Sequence, residues 1–108
     1  MRTHQEIDKR SLAMHRLVAE KIRQNPALFN QARATLARWR KTVCVSSQPH
    51  LREWECLMNQ GMEACLAFAV EDSERATQLR QSSPFAGLLS HSDRFAFLKT
   101  WSLTHAAQ

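Results

Sequence analysis

The sequence predicts an all-α fold: one small bundle of about five helices, with a helical hairpin at the N-terminus. Three observations carry this. Ala, Leu, Arg and Gln are abundant, Tyr is absent and only two glycines occur, a mix that favours helix over sheet. Apolar residues recur at spacings of three and four along most of the chain. Capping and breaking residues fall between the periodic segments rather than within them. With 108 residues, 44% apolar and 23% charged, the chain has the size and balance of one globular domain, residues 1–108. A domain of this size can bury a modest core without metal or disulfide support.

The elements follow in order. Thr3 and Glu6 make a capping box ahead of Ile7, Met14, Leu17, Val18 and Ile22, predicting a first helix over about 4–24. Asn25-Pro26 is a break and restart, with Asn25 placed to cap and Pro26 to open the next helix. That helix, about 26–41, turns Leu28, Phe29, Ala32, Leu36 and Trp39 inward and Arg33, Arg38, Arg40 and Lys41 outward. Its basic last turn suits the negative end of the helix dipole. Thr42–His50 reads as a connector; Val43, Cys44 and Val45 are β-prone, but a lone three-residue strand has nothing to pair with.

Pro49 opens a third helix over about 49–60, with Leu51, Trp54, Leu57 and Met58 inward, and Gly61 suits a C′ position or a kink. Met62–Val70, apolar but for Glu63, is the expected buried centre. Asp72 or Ser73 can cap a short helix over about 73–81. Leu79–Arg94 then forms a joint: Pro84 stops or restarts helix, Phe85 is an anchor, Gly87 permits a positive φ, and Ser90 with Asp93 caps the last helix, about 91–103. That helix carries Phe95, Leu98 and Trp101 along one side with Phe97 nearby, and the tail 104–108 is expected to fray.

Charge is divided unevenly. Residues 1–52 hold eleven Lys/Arg against three Asp/Glu, a net +8; residues 53–108 hold four against seven, a net −3. These sum to the chain's +5. A basic half can meet phosphates, an acidic partner, or the acidic half of a second copy. No run of apolar residues is long enough to span a membrane, and the polar start MRTHQEIDKR lacks the apolar region of a signal peptide, so a cytoplasmic protein with reduced cysteines is expected.

Few constellations carry chemistry. Cys44, His50, Cys56 and Cys65 are spaced by six, six and nine, which matches no compact zinc pattern, and Cys56 and Cys65 read as small hydrophobes in helices. Ser82, Ser83, Ser90 and Ser92 lie near His91 and Asp93, but sequence neighbours rarely form a triad, and capping accounts for Ser90 and Asp93. His50 and His91 are the two candidates for a general base. Phosphate-loop, HExxH and GxSxG patterns are absent. The reading is therefore a non-enzyme with no catalytic, cofactor or metal residue. For nucleic acid, Arg33, Arg38, Arg40 and Lys41 could form a phosphate-binding stripe backed by Lys9, Arg10, Arg16, Lys21 and Arg23, or simply a solvated helix face. For protein partners, Trp39, Trp54, Trp101 and five phenylalanines are an ample aromatic supply, suited to either core or interface.

The stretch MHRLVAEKIRQNPALFNQARATLARW, an aromatic-rich middle, and SERATQLRQSSPFAGLLSHSDRF resemble small uncharacterised all-helical bacterial proteins of toxin–antitoxin-like or mobile-element gene pairs. The resemblance runs from about Met14 to Phe95 and is strongest in QNPALFNQARATLARW and LRQSSPFAGLLSHSDR. It implies a small partner-binding component, an antitoxin that masks a toxin encoded beside it and helps repress its own operon. No ribbon-helix-helix or standard helix-turn-helix reader is assigned, and no catalytic residue is carried over.

The expectation is thus a cytosolic helical interaction module, antitoxin-like, that presents Ser82, Ser83, Phe85 and Arg94 to a protein partner. A homodimer is a further form of that reading. The alternative is a small basic nucleic-acid-binding regulator using Arg33, Arg38, Arg40 and Lys41.

Overall fold

A computed structural model describes residues 4–105 of the chain. Six helices follow one another: α1 His4–Gln24, α2 Ala27–Thr42, α3 Gln48–Asn59, α4 Met62–Ala69, α5 Glu74–Arg80 and α6 His91–His105. One 3-10 turn, Val45–Ser47, lies between α2 and α3, and no strand occurs among the described residues. The fold is an all-helical bundle, with six helices where the periodicity suggests about five. The extra one is the apolar segment α4, whose continuous hydrophobicity hides any stripe. Thr3 of the capping box and residues 106–108 of the tail lie outside the described residues, while Thr104 and His105 continue α6.

Local chemistry explains most boundaries. Ser73 caps α5, its Oγ accepting the Ala76 N–H at 3.2 Å. Ser90 caps α6 in the same way, accepting the Asp93 N–H at 3.1 Å. At the α1–α2 break it is the Asn25 backbone carbonyl that accepts the Leu28 N–H; Pro26 stands at the N-cap with no side-chain cap bond, so Asn25 does not cap by its side chain. Of the β-prone Val43–Val45 segment, Val43 ends α2 in an extended conformation, Cys44 stands at the N-cap of the 3-10 turn and Val45 opens it. Gly61 takes φ +123° and ψ 159° between α3 and α4. A side chain there meets strain whatever the space around it. Gly87, by contrast, is not in the positive-φ region, so the joint does not use the positive φ that this glycine permits.

Around Trp54, fully buried in α3, the core assembles. Its ring meets Phe68 of α4 edge-on at 6.0 Å and Phe85 of the joint edge-on at 5.6 Å. Phe85 in turn stacks on Phe29 of α2 at 6.3 Å. The indole N–H donates to the Leu79 carbonyl of α5 at 2.9 Å, so the polar edge of the ring is satisfied inside the core. Met14, Val18, Ala19 and Ile22 bring α1 against the same centre, and Cys65, Leu66 and Ala69 bring α4. The resulting layer packs α1, α2, α3, α4 and α5 on one another.

Helix α6 stands apart from that layer. None of its fifteen residues is buried, and it makes no extensive backbone packing with another helix. Phe97 packs on the core's edge, and the start of the helix is held by an ion pair from Lys21 to Asp93 at 3.1 Å. The Lys21 ammonium keeps the Asp93 carboxyl below the usual carboxylate range.

The two glycines give a direct check. Gly61→Ala forces a Cβ into a backbone region that only glycine adopts and should cost about 1–3 kcal/mol. Gly87→Ala meets no atom within 4 Å and should change stability by less than about 0.5 kcal/mol. Thermal melts of the two variants should therefore separate by several degrees, with Gly61→Ala the lower.

Candidate functional site: helix α6 and the joint before it

The joint, residues 81–90, turns inward rather than outward. Phe85 is 1% exposed and Ser83 4% exposed, so neither faces a partner, which corrects their expected role as presenting residues. The cause is packing: Trp54 and Phe29 leave an aromatic gap that Phe85 fills. Ser82 is half-buried, and of the four residues only Arg94, on α6, is exposed.

Ser83 is bound to a residue the sequence did not single out. His15 of α1 is buried; its Nδ1 lies 2.7 Å from the Ser11 carbonyl and its Nε2 2.8 Å from Ser83 Oγ. A carbonyl only accepts, so Nδ1 carries the proton and Nε2 accepts from the Ser83 hydroxyl. Ser83 Oγ also accepts the Phe85 N–H at 3.0 Å. A serine hydroxyl donating to an imidazole is the pattern of an activated nucleophile. Here the hydroxyl is enclosed, its oxygen already holds a backbone N–H, and the imidazole is oriented by a carbonyl rather than a carboxylate. The geometry therefore describes a latch that fastens the joint to α1. Burial pushes the His15 pKa below its ordinary 6.5, and the Arg80 guanidinium acts in the same sense against the opposing Ser11 hydrogen bond.

Arg80 is a second buried polar residue that sequence reasoning missed. Its Nη1 donates to the Ala69 and Glu71 carbonyls at 3.1 and 2.9 Å, and its Nη2 to Thr77 Oγ1 at 3.1 Å. It thereby closes the C-terminal end of α4, where free carbonyls and the dipole favour a cation. Its Nε has no partner.

The basic residues of α2 are divided. Arg33 donates to the Met58 carbonyl at 3.0 Å and to Asn59 Oδ1 at 3.1 Å, with its guanidinium 5.9 Å from the Phe29 ring centre. Arg40 donates to Gln48 Oε1 at 2.8 Å and pairs with Glu55 at 3.7 Å. Both are committed to holding α3 against α2. Arg38 and Lys41 remain exposed on the outer face. Across the molecule the basic half meets the acidic half of the same chain, through Lys21–Asp93, Arg23–Glu63 and Arg40–Glu55.

The cysteines do not converge. Cys44 and Cys56 are exposed, so of the two cysteines read as small hydrophobes only Cys65 is enclosed. Among the described residues no three His, Cys, Asp or Glu side chains gather to hold a metal. His50 and His91 are both exposed.

What stands open is the outer side of α6. Phe95 is 70% and Leu103 74% exposed, and with Leu98 they line an open groove of about 570 Å³ together with Arg10, Lys99 and Ser102. Since Asp93 sits by Lys21 near the end of α1 and residues 98–103 sit by Arg10 near its start, α6 runs antiparallel to α1. Its other side carries a stack, with Phe97 on Trp101 at 6.2 Å and Trp101 on His105 at 3.7 Å. Trp54 is thus core, Trp39 is half-buried at the core's margin, and Trp101 is half-buried in the α6 stack. Of the open strip the sequence named Phe95 and Leu98 but not Lys99 or Leu103. The readable signal was that apolar residues 95, 97, 98, 101 and 103 encircle most of the helix, more than one neighbouring layer can cover.

The buried imidazole sets a pH dependence. Above about pH 7 it is neutral in both states; as pH falls through 6.5 the unfolded chain takes up a proton that the folded chain refuses until its lowered pKa. Stability should fall between pH 7.5 and 5.5 in urea titrations, and His15→Gln should flatten that part of the slope. Thiol chemistry gives a second check. Hydroxyls of Ser46 and Ser47 lower the Cys44 pKa, while burial raises that of Cys65 to about 12. Alkylation followed by mass spectrometry should mark Cys44 first and Cys65 only on unfolding.

No protein-family model, curated protein or solved structure matches this chain. Its site is defined by geometry alone, as an uncovered helix face.

Proposed function

We propose that this protein is a helical interaction module that binds a partner protein through the outer face of α6. The carrying observation is that the apolar side chains of α6 are spread around the helix while the rest of the chain covers one side only, leaving Phe95 and Leu103 about three-quarters exposed. Large apolar side chains left exposed side by side on a helix mark a face that a partner can cover. Burying each of those two side chains in a partner is worth about 1.5–3 kcal/mol. The rest of the molecule supplies a fixed platform: the joint is locked by Phe85 and Ser83, and the start of α6 by Ser90 and Lys21. The resemblance to antitoxin-like proteins supports the same class of role, a small chain that masks a partner encoded beside it. Relative to the sequence expectation, the binding face moves from the joint onto the helix that the joint positions.

Commitment of the Arg33 and Arg40 guanidiniums to contacts within the chain weakens the phosphate-stripe alternative, because of that set only the Arg38 and Lys41 side chains are not held by α3. A reader that used them would lose affinity steeply with salt.

Phe95→Asp and Leu103→Asp touch no core residue and should leave folding stability within about 0.5 kcal/mol of the parent. Each should abolish co-purification with the product of the adjacent gene. A neighbour that is neither bound nor neutralised by the parent chain sinks the reading.

A further inference from the structure

We infer that the occupant of the α6 face is an acidic amphipathic helix of a different protein, and not a second copy of this chain; the inference rests on the reading of α6 as the docking face. The open strip is charged in one sense. At 3.6 residues per turn, Arg94 borders Leu98 on one side, and Lys99 stands between Phe95 and Leu103 on the other. Asp93 is the only carboxylate on α6, and Lys21 already holds it. A partner that covers Phe95, Leu98 and Leu103 therefore takes Lys99 out of water and must bring a carboxylate to it.

A second copy that meets α6 with its own α6 brings the wrong charge. In any two-fold pairing of α6 with itself, antiparallel about its midpoint or parallel along its length, Lys99 near the middle meets its own symmetry mate. Like charges juxtaposed at an interface oppose association. A duplex nucleic acid satisfies the cations but leaves Phe95 and Leu103 uncovered. A helix with apolar residues on one face and Glu or Asp on its flanks satisfies both, in the helix-in-groove mode.

The probe is a displayed library of helix-forming peptides of about the length of α6. Their apolar positions are fixed at helical spacing, and their flanking positions are randomised among Glu, Gln and Lys. Selection on the full chain should enrich Glu over Lys, and selection on an Arg94→Glu/Lys99→Glu variant should reverse the preference. A selected acidic peptide should bind the Lys99→Glu chain at least about tenfold more weakly than the parent. Enrichment with no charge preference, or for Lys, overturns the inference while leaving α6 as the docking face. So does a concentration-dependent dimer in sedimentation that Leu103→Asp dissolves, or displacement of the peptide by a DNA duplex. No enrichment at all, or peptides that bind Leu103→Asp as well as the parent, overturns the docking face itself.

Discussion

The indole of Trp54 is the interaction on which the rest of this structure depends. It is the largest fully buried side chain, and its N–H has one partner, the Leu79 carbonyl. An indole N–H left unpaired in a core costs about 1–3 kcal/mol, so α5 must sit where that carbonyl is in reach. Phe68 of α4 and Phe85 of the joint then pack on it in edge-to-face geometry. Aromatic pairs of this kind add about 0.5–1.5 kcal/mol beyond the area they bury. One ring thereby sets the relative positions of α3, α4, α5 and the 81–90 segment, and through Phe85 and Phe29 that of α2.

The polar residues inside the molecule follow from that arrangement. With Phe85 drawn inward, Ser83 is carried into the core two residues before it, and an enclosed hydroxyl needs partners. His15 supplies the acceptor and the Phe85 N–H the donor. Arg80 resolves a similar demand at the end of α4, where carbonyls would otherwise lack donors. The charge asymmetry of the chain is partly spent in the same way. Its basic and acidic halves face each other across α1–α4, α2–α3 and α1–α6, through exposed pairs that each contribute little but together orient the layers.

Once the five-helix layer is closed, α6 has no place within it. Its start is fixed and its Phe97 side rests on the core's edge, but Phe95 and Leu103 look outward. The apolar surface that the fold cannot use is also where the cations Arg94 and Lys99 are not engaged by the chain itself. The docking role proposed for this face needs no catalytic group. It needs a rigid mount, exposed apolar area and a charge pattern that selects among partners.

The helices and most of their ends were legible in the sequence because they rest on local physics. Apolar spacing marked α1, α2, α3 and α6, Ser73 and Ser90 cap as their positions imply, and Gly61 sits where only glycine is free of strain. The composition was enough for an all-helical class. What the tertiary structure alone decided was which side of each residue is used. Phe85 and Phe95 are the same residue type ten positions apart, each beside a helix end, yet one is 1% and the other 70% exposed. Nothing local distinguishes them; the gap beside Trp54 does, because it admits one ring and is filled from the joint. Likewise Arg33 and Arg40 look as free as Arg38 and Lys41 until α3 packs against α2 and claims them. Helical periodicity is a property of neighbours in the chain, whereas burial and pairing depend on which surfaces remain after the core has closed.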